Sequence, residues 1–192
     1  MSSRPCIREE AERGRSALRF QVVPQAKTKI VLYCDGMEHR PTRKRIRLDL
    51  ETYAVPGTVW HVSTTTVGRM PAFDNPEMAA IAAESLRFQC TKANADLLVY
   101  CVMPDHVHLV VTITERDLIS ILHDFKSYTG HVWKRRTGQK RLWQESFHDH
   151  GVRRSESMDD LVKYVVENPQ EAGLVSDWRE YPWIGGNLLD AG

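Results

Sequence analysis

The chain has 192 residues, of which 42% are hydrophobic and 27% are charged, and its formal net charge at pH 7 is +1. This length and composition predict one folded domain with a proper core, and the small net charge by itself gives no indication of a nucleic-acid partner. Because an apolar run of 18 residues and a signal-peptide core are both lacking, we expect a cytoplasmic protein. The cysteines Cys6, Cys34, Cys90 and Cys101 lack C-x-x-C spacing, which argues against a structural zinc site and a disulfide framework.

Residues 1–42 predict a poorly ordered N-terminal extension, since arginine and glutamate mix near the start without a firm apolar period. A basic cluster follows, formed by Arg43, Lys44, Arg45 and Arg47. Such a run is either a solvated surface or, beside a DNA-handling domain, a set of phosphate contacts. We assign residues 43–185 to a single domain and residues 186–192 to a C-terminal tail.

Regular elements become legible from residue 58. They are a strand at 58–67, a helix at 75–92, a hairpin at 96–113, a helix from Leu118 to about Gly138, a strand at 142–152 and a helix from Ser157 to about Asn168. This order predicts an α+β fold, the ferredoxin-like split β-α-β sandwich with a central antiparallel sheet and an additional C-terminal helix. Both crossover helices should cover one sheet face, and the third strand should be central. The apolar stripe of the second helix includes Phe125 and Tyr128, so we expect both in the core.

The hairpin carries the first candidate site. Its second strand begins after a Pro104-Asp105 turn, and because strand side chains alternate, His106 and His108 should project from the same face. Two imidazoles on a rigid strand form half of a preorganised metal site. The alternative is that they are polar residues at a strand end, one of them buried. Asp105 is expected to point to the opposite face.

The last helix carries the second candidate site. Tyr164 and Asn168 lie one turn apart, about 40° from one another around the helix axis. Pro169 is expected to end the helix immediately afterwards. The spacing alone is equally compatible with Tyr164 as an amphipathic side chain at the edge of the apolar stripe, without a catalytic role. Asn168 would then be a polar residue at the helix C-terminus.

Several ordered segments over roughly residues 43–184 resemble one family, the single-tyrosine HUH transposases of the IS200-like type. The segments are Met103–Val111, Phe125–Thr129, Leu142–Gln144, Phe147–Asp149, Tyr164–Val175 and Tyr181–Trp183. Many insertion-sequence relatives carry glutamine at the position of Asn168, whereas the REP-associated tyrosine transposase branch resembles this chain in using asparagine.

The resemblance implies a metal-dependent enzyme that cleaves and rejoins single-stranded DNA at hairpin sequences. It implies Tyr164 as the nucleophile, forming a 5′-phosphotyrosine link, and His106, His108 and Asn168 as ligands of Mg²⁺ or Mn²⁺. The base that activates the phenol is left open among Glu167, His148 and His150.

A set of basic and aromatic residues is the candidate grip on single-stranded DNA, since phosphate neutralisation and base stacking hold such strands. Beyond the basic cluster at 43–47, the set comprises Lys126, Lys134, Arg135, Arg136, Lys140, Arg141, Trp143, Arg153 and Arg154. The alternative is a solvated basic face.

Two other functions remain open at this point. One is a domesticated regulator that binds DNA hairpins without cutting, and the other is a metal-dependent phosphoesterase that uses water in place of tyrosine. The oligomeric state is left open between monomer and homodimer. With DNA as partner, we expect a nucleoid-associated location in the cytoplasm.

Overall fold

The computed structural model describes residues 48–153 and 155–189. The strands are β1 (Val59–Thr65), β2 (Asp96–Val102), β3 (His106–Thr112), β4 (His148–Gly151) and β5 (Ile184–Gly185), and the helices are α1 (Pro76–Lys92), α2 (Leu118–Thr137) and α3 (Met158–Glu171). The extension predicted at 1–42, the basic cluster at 43–47 and Arg154 lie outside the described residues. Among the described residues, no helix combines the length and the apolarity needed to cross a membrane.

The five strands form one antiparallel sheet in the order β4-β1-β3-β2-β5. Its first four positions are those of the ferredoxin-like split β-α-β unit, so the predicted α+β fold and the central place of β3 are confirmed. Since β3 has a partner strand on both sides, its backbone is fully paired and its side chains are held at fixed positions on the two faces.

The two sheet faces are covered differently. One packs against α1 and α2 through a core that includes Trp60, Leu109 and Phe125. The opposite face packs against α3, where Val165 and Val166 meet a cluster that includes Val59, Val99 and Val110. His106 and His108 alternate with the residues of the first core, so they belong to the α3 face.

Two strand assignments differ from the sequence prediction. The strand predicted at 142–152 is ordered as a strand only over His148–Gly151, preceded by a single bridge between Thr66 and Trp143. Lys126 holds the intervening loop, since its ammonium group donates to the carbonyls of Gln144, at 2.5 Å, and Ser146, at 3.2 Å. The two-residue strand β5 was not predicted, because two residues are too few to show an alternating pattern.

Helix α3 does not end before Pro169 as predicted but continues to Glu171. A proline lacks the N–H that would bond to the carbonyl four residues earlier, here that of Val165, and its ring crowds the same carbonyl, so its place in a helix needs compensation from packing. Pro169 is also buried, so packing favours its place in the helix.

The prediction that Tyr128 packs in the core is wrong, since its side chain is 52% exposed. The inward position belongs to the next residue, Thr129, whose hydroxyl oxygen accepts a hydrogen bond from the Trp143 indole at 2.8 Å. That buried polar pair rotates α2 so that Phe125, Thr129 and Trp133 face the core and Tyr128 faces outward.

The edge strand β5 depends on a glycine with backbone φ of +129° at Gly186. A Cβ atom there would lie 2.5 Å from the Leu98 carbonyl oxygen and 2.7 Å from the Val99 Cα. We therefore expect Gly186→Ala to lower the free energy of unfolding by more than about 1 kcal/mol, measured by urea denaturation.

Gly130, within α2, is the matched control because a Cβ atom there meets nothing within 4 Å. Gly130→Ala should raise the free energy of unfolding by about 0.5 to 1 kcal/mol, since alanine is the better helix former. Equal effects of the two substitutions would contradict the close backbone approach at Gly186.

Candidate active site

The first two residues of the site lie side by side on β3, as their alternation predicts. The His106 and His108 rings are nearly perpendicular, with an interplanar angle of 83°, and their Nε2 atoms are 3.0 Å apart. His108 is only 6% exposed, whereas His106 lies at the start of the strand and is more open. Two nitrogens that converge in this way can share either a proton or a cation.

Asp105 orients His106. Its Oδ1 lies 2.6 Å from His106 Nδ1, while its Oδ2 binds the Arg69 guanidinium at 3.2 Å. The expectation that Asp105 points to the opposite face is wrong, because Asp105 lies in the turn before β3, where strand alternation does not apply. A carboxylate accepts from the Nδ1–H of His106, so the Nε2 of that ring keeps its lone pair for a ligand.

A third histidine, His61 on β1, belongs to the site and was not identified from the sequence. Its Nε2 lies 3.4 Å from Nδ1 of His108. In the β1–β3 register, His108 is opposite Ser63 and His61 is opposite Val110, so the two histidines are diagonal neighbours on one face. Only the strand register brings them together, and no spacing within the sequence signals it.

The Tyr164 ring lies over this histidine pair. It makes edge contacts with His61 and His108, with ring centroids 5.7 Å and 5.6 Å apart respectively. Val165 and Val166 bury the inner side of α3 and leave Tyr164 at its margin, where the side chain is 47% exposed. The structure therefore brings the predicted tyrosine and histidines together within a single chain.

Asn168 lies one helical turn after Tyr164. Its side-chain nitrogen donates to the Tyr164 backbone carbonyl at 2.5 Å. With the nitrogen engaged in this way, the amide oxygen is the atom that could bind a cation. Asn168 is also partly buried, which suits a residue that orients a group at the edge of a packed helix.

The spacing of the two histidine nitrogens fits a divalent ion of the Mg²⁺ or Mn²⁺ type. Two ligands at right angles and about 2.1 Å from such an ion are about 3.0 Å apart, which matches the separation of the two Nε2 atoms. The described residues contain no group of three His, Cys, Asp or Glu side chains placed to hold a metal. The third ligand predicted from the sequence, the Asn168 amide oxygen, belongs to none of these four side-chain types.

Both inner histidines are held neutral. Burial, with smaller contributions from His106 and His61, lowers the pKa of His108 to about 3. Burial, together with nearby His150, lowers the pKa of His61 to about 4. At neutral pH these rings therefore carry lone pairs rather than positive charge, as ligands and hydrogen-bond acceptors require.

The three residues predicted as candidate bases for the Tyr164 phenol lie in different surroundings. His150 Nε2 lies 2.7 Å from a Glu156 carboxylate oxygen, and Glu167 lies 4.0 Å from the Lys163 ammonium. His148 is exposed at the start of the edge strand β4. The rings that lie against Tyr164 are those of His61 and His108.

Part of the predicted DNA grip surrounds the end of the sheet where β3 begins. Lys134, Arg135 and Arg136 end α2, and Lys140 and Arg141 follow in an exposed loop. Arg136 pairs with Glu77, and Arg141 lies 3.5 Å from Glu145. Arg153 is exposed beyond β4, at the opposite end of the sheet, because β4 runs antiparallel to β1.

The loop that carries Arg141 is tied to the strand end beside the site. Val67 N donates to the Leu142 carbonyl and Thr66 N donates to the Asp105 carbonyl, both at 2.9 Å. The basic loop and the exposed Arg69 therefore lie at the same end of the sheet as Asp105 and His106. Arg69 was not among the residues predicted from the sequence.

Two of the predicted DNA contacts, Trp143 and Lys126, make contacts within the chain. Trp143 is 7% exposed and packs between Phe73 and Phe125, with ring centroids 5.3 Å and 5.4 Å away, so its ring cannot stack on a base. Lys126 binds the carbonyls of the loop after Trp143. The prediction of Trp143 as a DNA contact is corrected by this burial.

Comparison with known proteins agrees with the geometry. The family model described as Transposase IS200 like matches residues 54–168. The REP-associated tyrosine transposase of Escherichia coli K12 is 25% identical over 138 residues, which cover 68% of this chain and 78% of the relative. A solved structure of a REP-associated tyrosine transposase bound to a REP hairpin has the same fold, with a TM-score of 0.62 and 20% identity over 74% of this chain and 82% of that one. The resemblance seen in the sequence motifs is confirmed.

The lowered histidine pKa values predict a pH-dependent stability. Above pH 6.5 the His108 ring is mostly neutral in both the folded and the unfolded state. As the pH falls below this value, His108 becomes protonated in the unfolded state but stays neutral in the folded state, so the folded state loses stability. With EDTA present, we expect this residue alone to lower the free energy of unfolding by about 2 kcal/mol between pH 7 and pH 5, with His61 acting in the same direction.

His108→Gln is the control for this prediction, and urea titrations at several pH values are the measurement. The variant should lose about half of the slope between pH 5 and pH 6.5, because glutamine does not titrate while His61 still does. An equal slope in both proteins would mean that His108 is protonated as readily in the folded chain as in the unfolded one.

Proposed function

This chain belongs to the Transposase IS200 like family, and from that premise we propose that it is a metal-dependent endonuclease and transposase of single-stranded DNA. It cleaves and rejoins DNA at hairpin sequences through a covalent 5′-phosphotyrosine intermediate. The observation that carries the proposal is the packing of Tyr164 against His108, whose Nε2 converges with that of His106 at 3.0 Å.

The reaction is a transesterification at phosphorus. The Tyr164 oxygen forms a bond to phosphorus as the bond to the 3′ oxygen breaks, and the phenol loses a proton while the 3′ oxygen gains one. Rejoining reverses these steps, so no nucleotide cofactor is needed. A free phenol has a pKa of about 10, and proton removal is therefore part of the work of the site.

His106, His108 and Asn168 are the residues that would hold a divalent ion. When bound, Mg²⁺ or Mn²⁺ supplies Lewis-acid polarisation of a non-bridging phosphate oxygen. The chain itself contributes position: Asp105 orients His106, and α3 holds Tyr164 beside its own proposed ligand, Asn168. Placing a nucleophile within a few ångströms of its target is a large part of catalysis in such reactions.

Hairpin or single-stranded DNA is the substrate class. Tyr164 is half exposed at the margin of the sheet, so it can reach a phosphate that is not shielded by a second strand. The solved REP-associated tyrosine transposase is bound to a REP hairpin, and this supports the same class of substrate here. Arg69, Lys140 and Arg141 provide positive charge near the start of β3. With DNA as the proposed substrate, we propose a location with the chromosome, in the cytoplasm.

The contacts of Tyr164 support a site that one chain completes. Its ring meets His61 and His108 of the same chain, so a monomer has every proposed catalytic group. We propose cleavage in cis for this reason.

Adduct formation tests the nucleophile. We expect Tyr164→Phe to fold and to bind hairpin DNA but to form no covalent protein–DNA product, because it lacks the attacking oxygen. The measurement is denaturing electrophoresis after incubation with labelled single-stranded hairpins from the host genome and Mn²⁺, with EDTA as a parallel condition that should also abolish the product.

Tyr128→Phe is the matched control, since Tyr128 is 52% exposed and also lies on a helix. It should keep both stability and adduct formation. Loss of the product in the Tyr128 variant alone would refute the assignment of Tyr164. Hairpin binding by the wild-type protein with no product under any metal condition would favour the non-cutting regulator.

Salt dependence tests the DNA grip. Neutralising Arg135 or Arg141 should reduce the log–log slope of single-strand binding against salt by about 0.7 for each phosphate that the guanidinium neutralises. Fluorescence anisotropy at several NaCl concentrations measures it. Arg116→Gln, which removes an equal charge at the opposite end of α2, should leave the slope unchanged, and identical slopes in all variants would mean that the basic residues form a solvated face.

A further inference from the structure

We propose that His61 is a positioning residue of the active site, which accepts a hydrogen bond from His108 and so keeps the Nε2 of His108 available to a metal ion. This inference rests on the proposed function, because it assumes the role of His108 as a ligand. It adds a residue from a third element, strand β1, to the residues supplied by strand β3 and helix α3.

Both ring nitrogens of His108 face another histidine. Its Nε2 is 3.0 Å from His106 Nε2, and its Nδ1 is 3.4 Å from His61 Nε2. A neutral imidazole has one N–H donor and one lone-pair acceptor. The tautomer of His108 therefore decides which neighbour faces its N–H and which faces its lone pair. Only the tautomer with hydrogen on Nδ1 leaves the lone pair on the side that faces His106.

The relative orientation of His61 and His108 suits this hydrogen bond. Their rings are almost parallel, with an interplanar angle of 19°, and their centroids are 5.6 Å apart. This separation exceeds the 3.4 Å between the facing nitrogens by about the width of one ring, so both nitrogens lie between the centroids. The rings therefore meet edge to edge, with the nitrogen lone pair of one directed at the N–H of the other, as a hydrogen bond requires.

The neighbours of His61 leave it this role. His150, opposite it on β4, directs its Nε2 to Glu156 at 2.7 Å. The Tyr164 ring contacts the His61 ring in an edge-to-face arrangement. On a sheet face otherwise lined by Val59 and Val110, a polar ring is costly to bury unless it has a partner. Nδ1 of His108 is that partner.

The arrangement gives each proposed histidine ligand its own outer partner. Asp105 accepts from Nδ1 of His106, and His61 accepts from Nδ1 of His108. Outer partners of this kind fix the tautomer and the ring orientation of a ligand, and losing one typically weakens metal binding by about 10- to 100-fold. A neutral acceptor on the buried ligand and a carboxylate on the more open one also keep negative charge away from the interior.

Metal binding by the DNA-free protein tests the proposal without any reading of activity. Mn²⁺ titrations followed by electron paramagnetic resonance should give a dissociation constant about 10- to 100-fold higher for His61→Phe than for the wild type. His61→Gln, whose Oε1 can accept the same hydrogen bond, should stay within about threefold of the wild type. The exposed His131 on α2 supplies the control for loss of a histidine, and His131→Phe should bind Mn²⁺ normally.

A variant-free measurement protects the test against misfolding of His61→Phe. Nitrogen-15 NMR of the wild type with Mg²⁺ should find His108 protonated on Nδ1 and His61 unprotonated on Nε2. Normal Mn²⁺ affinity in a folded His61→Phe, or a proton on Nε2 of His108, would overturn the proposal. If the wild type binds no Mn²⁺ and forms no adduct, the proposed function itself fails, and that outcome is distinct from the other two.

Discussion

Pairing of β3 on both sides is the constraint on which the rest of the structure depends. Because β1 and β2 flank it in antiparallel register, each of its side chains has a fixed face and fixed neighbours. Val107, Leu109 and Val111 anchor the core beneath α1 and α2. The alternate positions His106 and His108 are thereby held on the other face with the rigidity of the whole sheet, and a slip of one residue would exchange the two sets.

The two faces divide folding from chemistry. The face under α1 and α2 carries the large apolar core, including Trp60, Leu86 and Phe125. The apolar cluster under α3 has fewer residues, and the three histidines of the site lie on the same face as its valines. Polar rings are tolerated there because each has a hydrogen-bonding partner. Tyr164 lies at the open margin of this face, where its ring is partly exposed to solvent.

The sequence predicted what depends on local periodicity and missed what depends on register and packing. Alternation placed His106 and His108 on one face, and helical spacing placed Asn168 one turn from Tyr164. His61 was not predicted as a site residue because its contact with His108 forms only when β1 pairs with β3. Asp105 was misplaced because a turn residue does not obey alternation, and Tyr128 because the bond between Trp143 and Thr129 sets the rotation of α2. The strand predicted at 142–152 is shorter because Lys126 holds the residues before β4 as a loop.

The anchoring of the loop between α2 and β4 has a thermodynamic consequence. A flexible basic loop loses conformational entropy when it closes on a nucleic acid, and that loss subtracts from affinity. Here the buried Trp143, the Lys126 ammonium and the backbone bonds to Thr65 and Val67 order the loop when the chain folds. Arg141 is thus presented on a backbone that is already ordered, and its attraction for a phosphate is reduced mainly by the freedom of its own side chain.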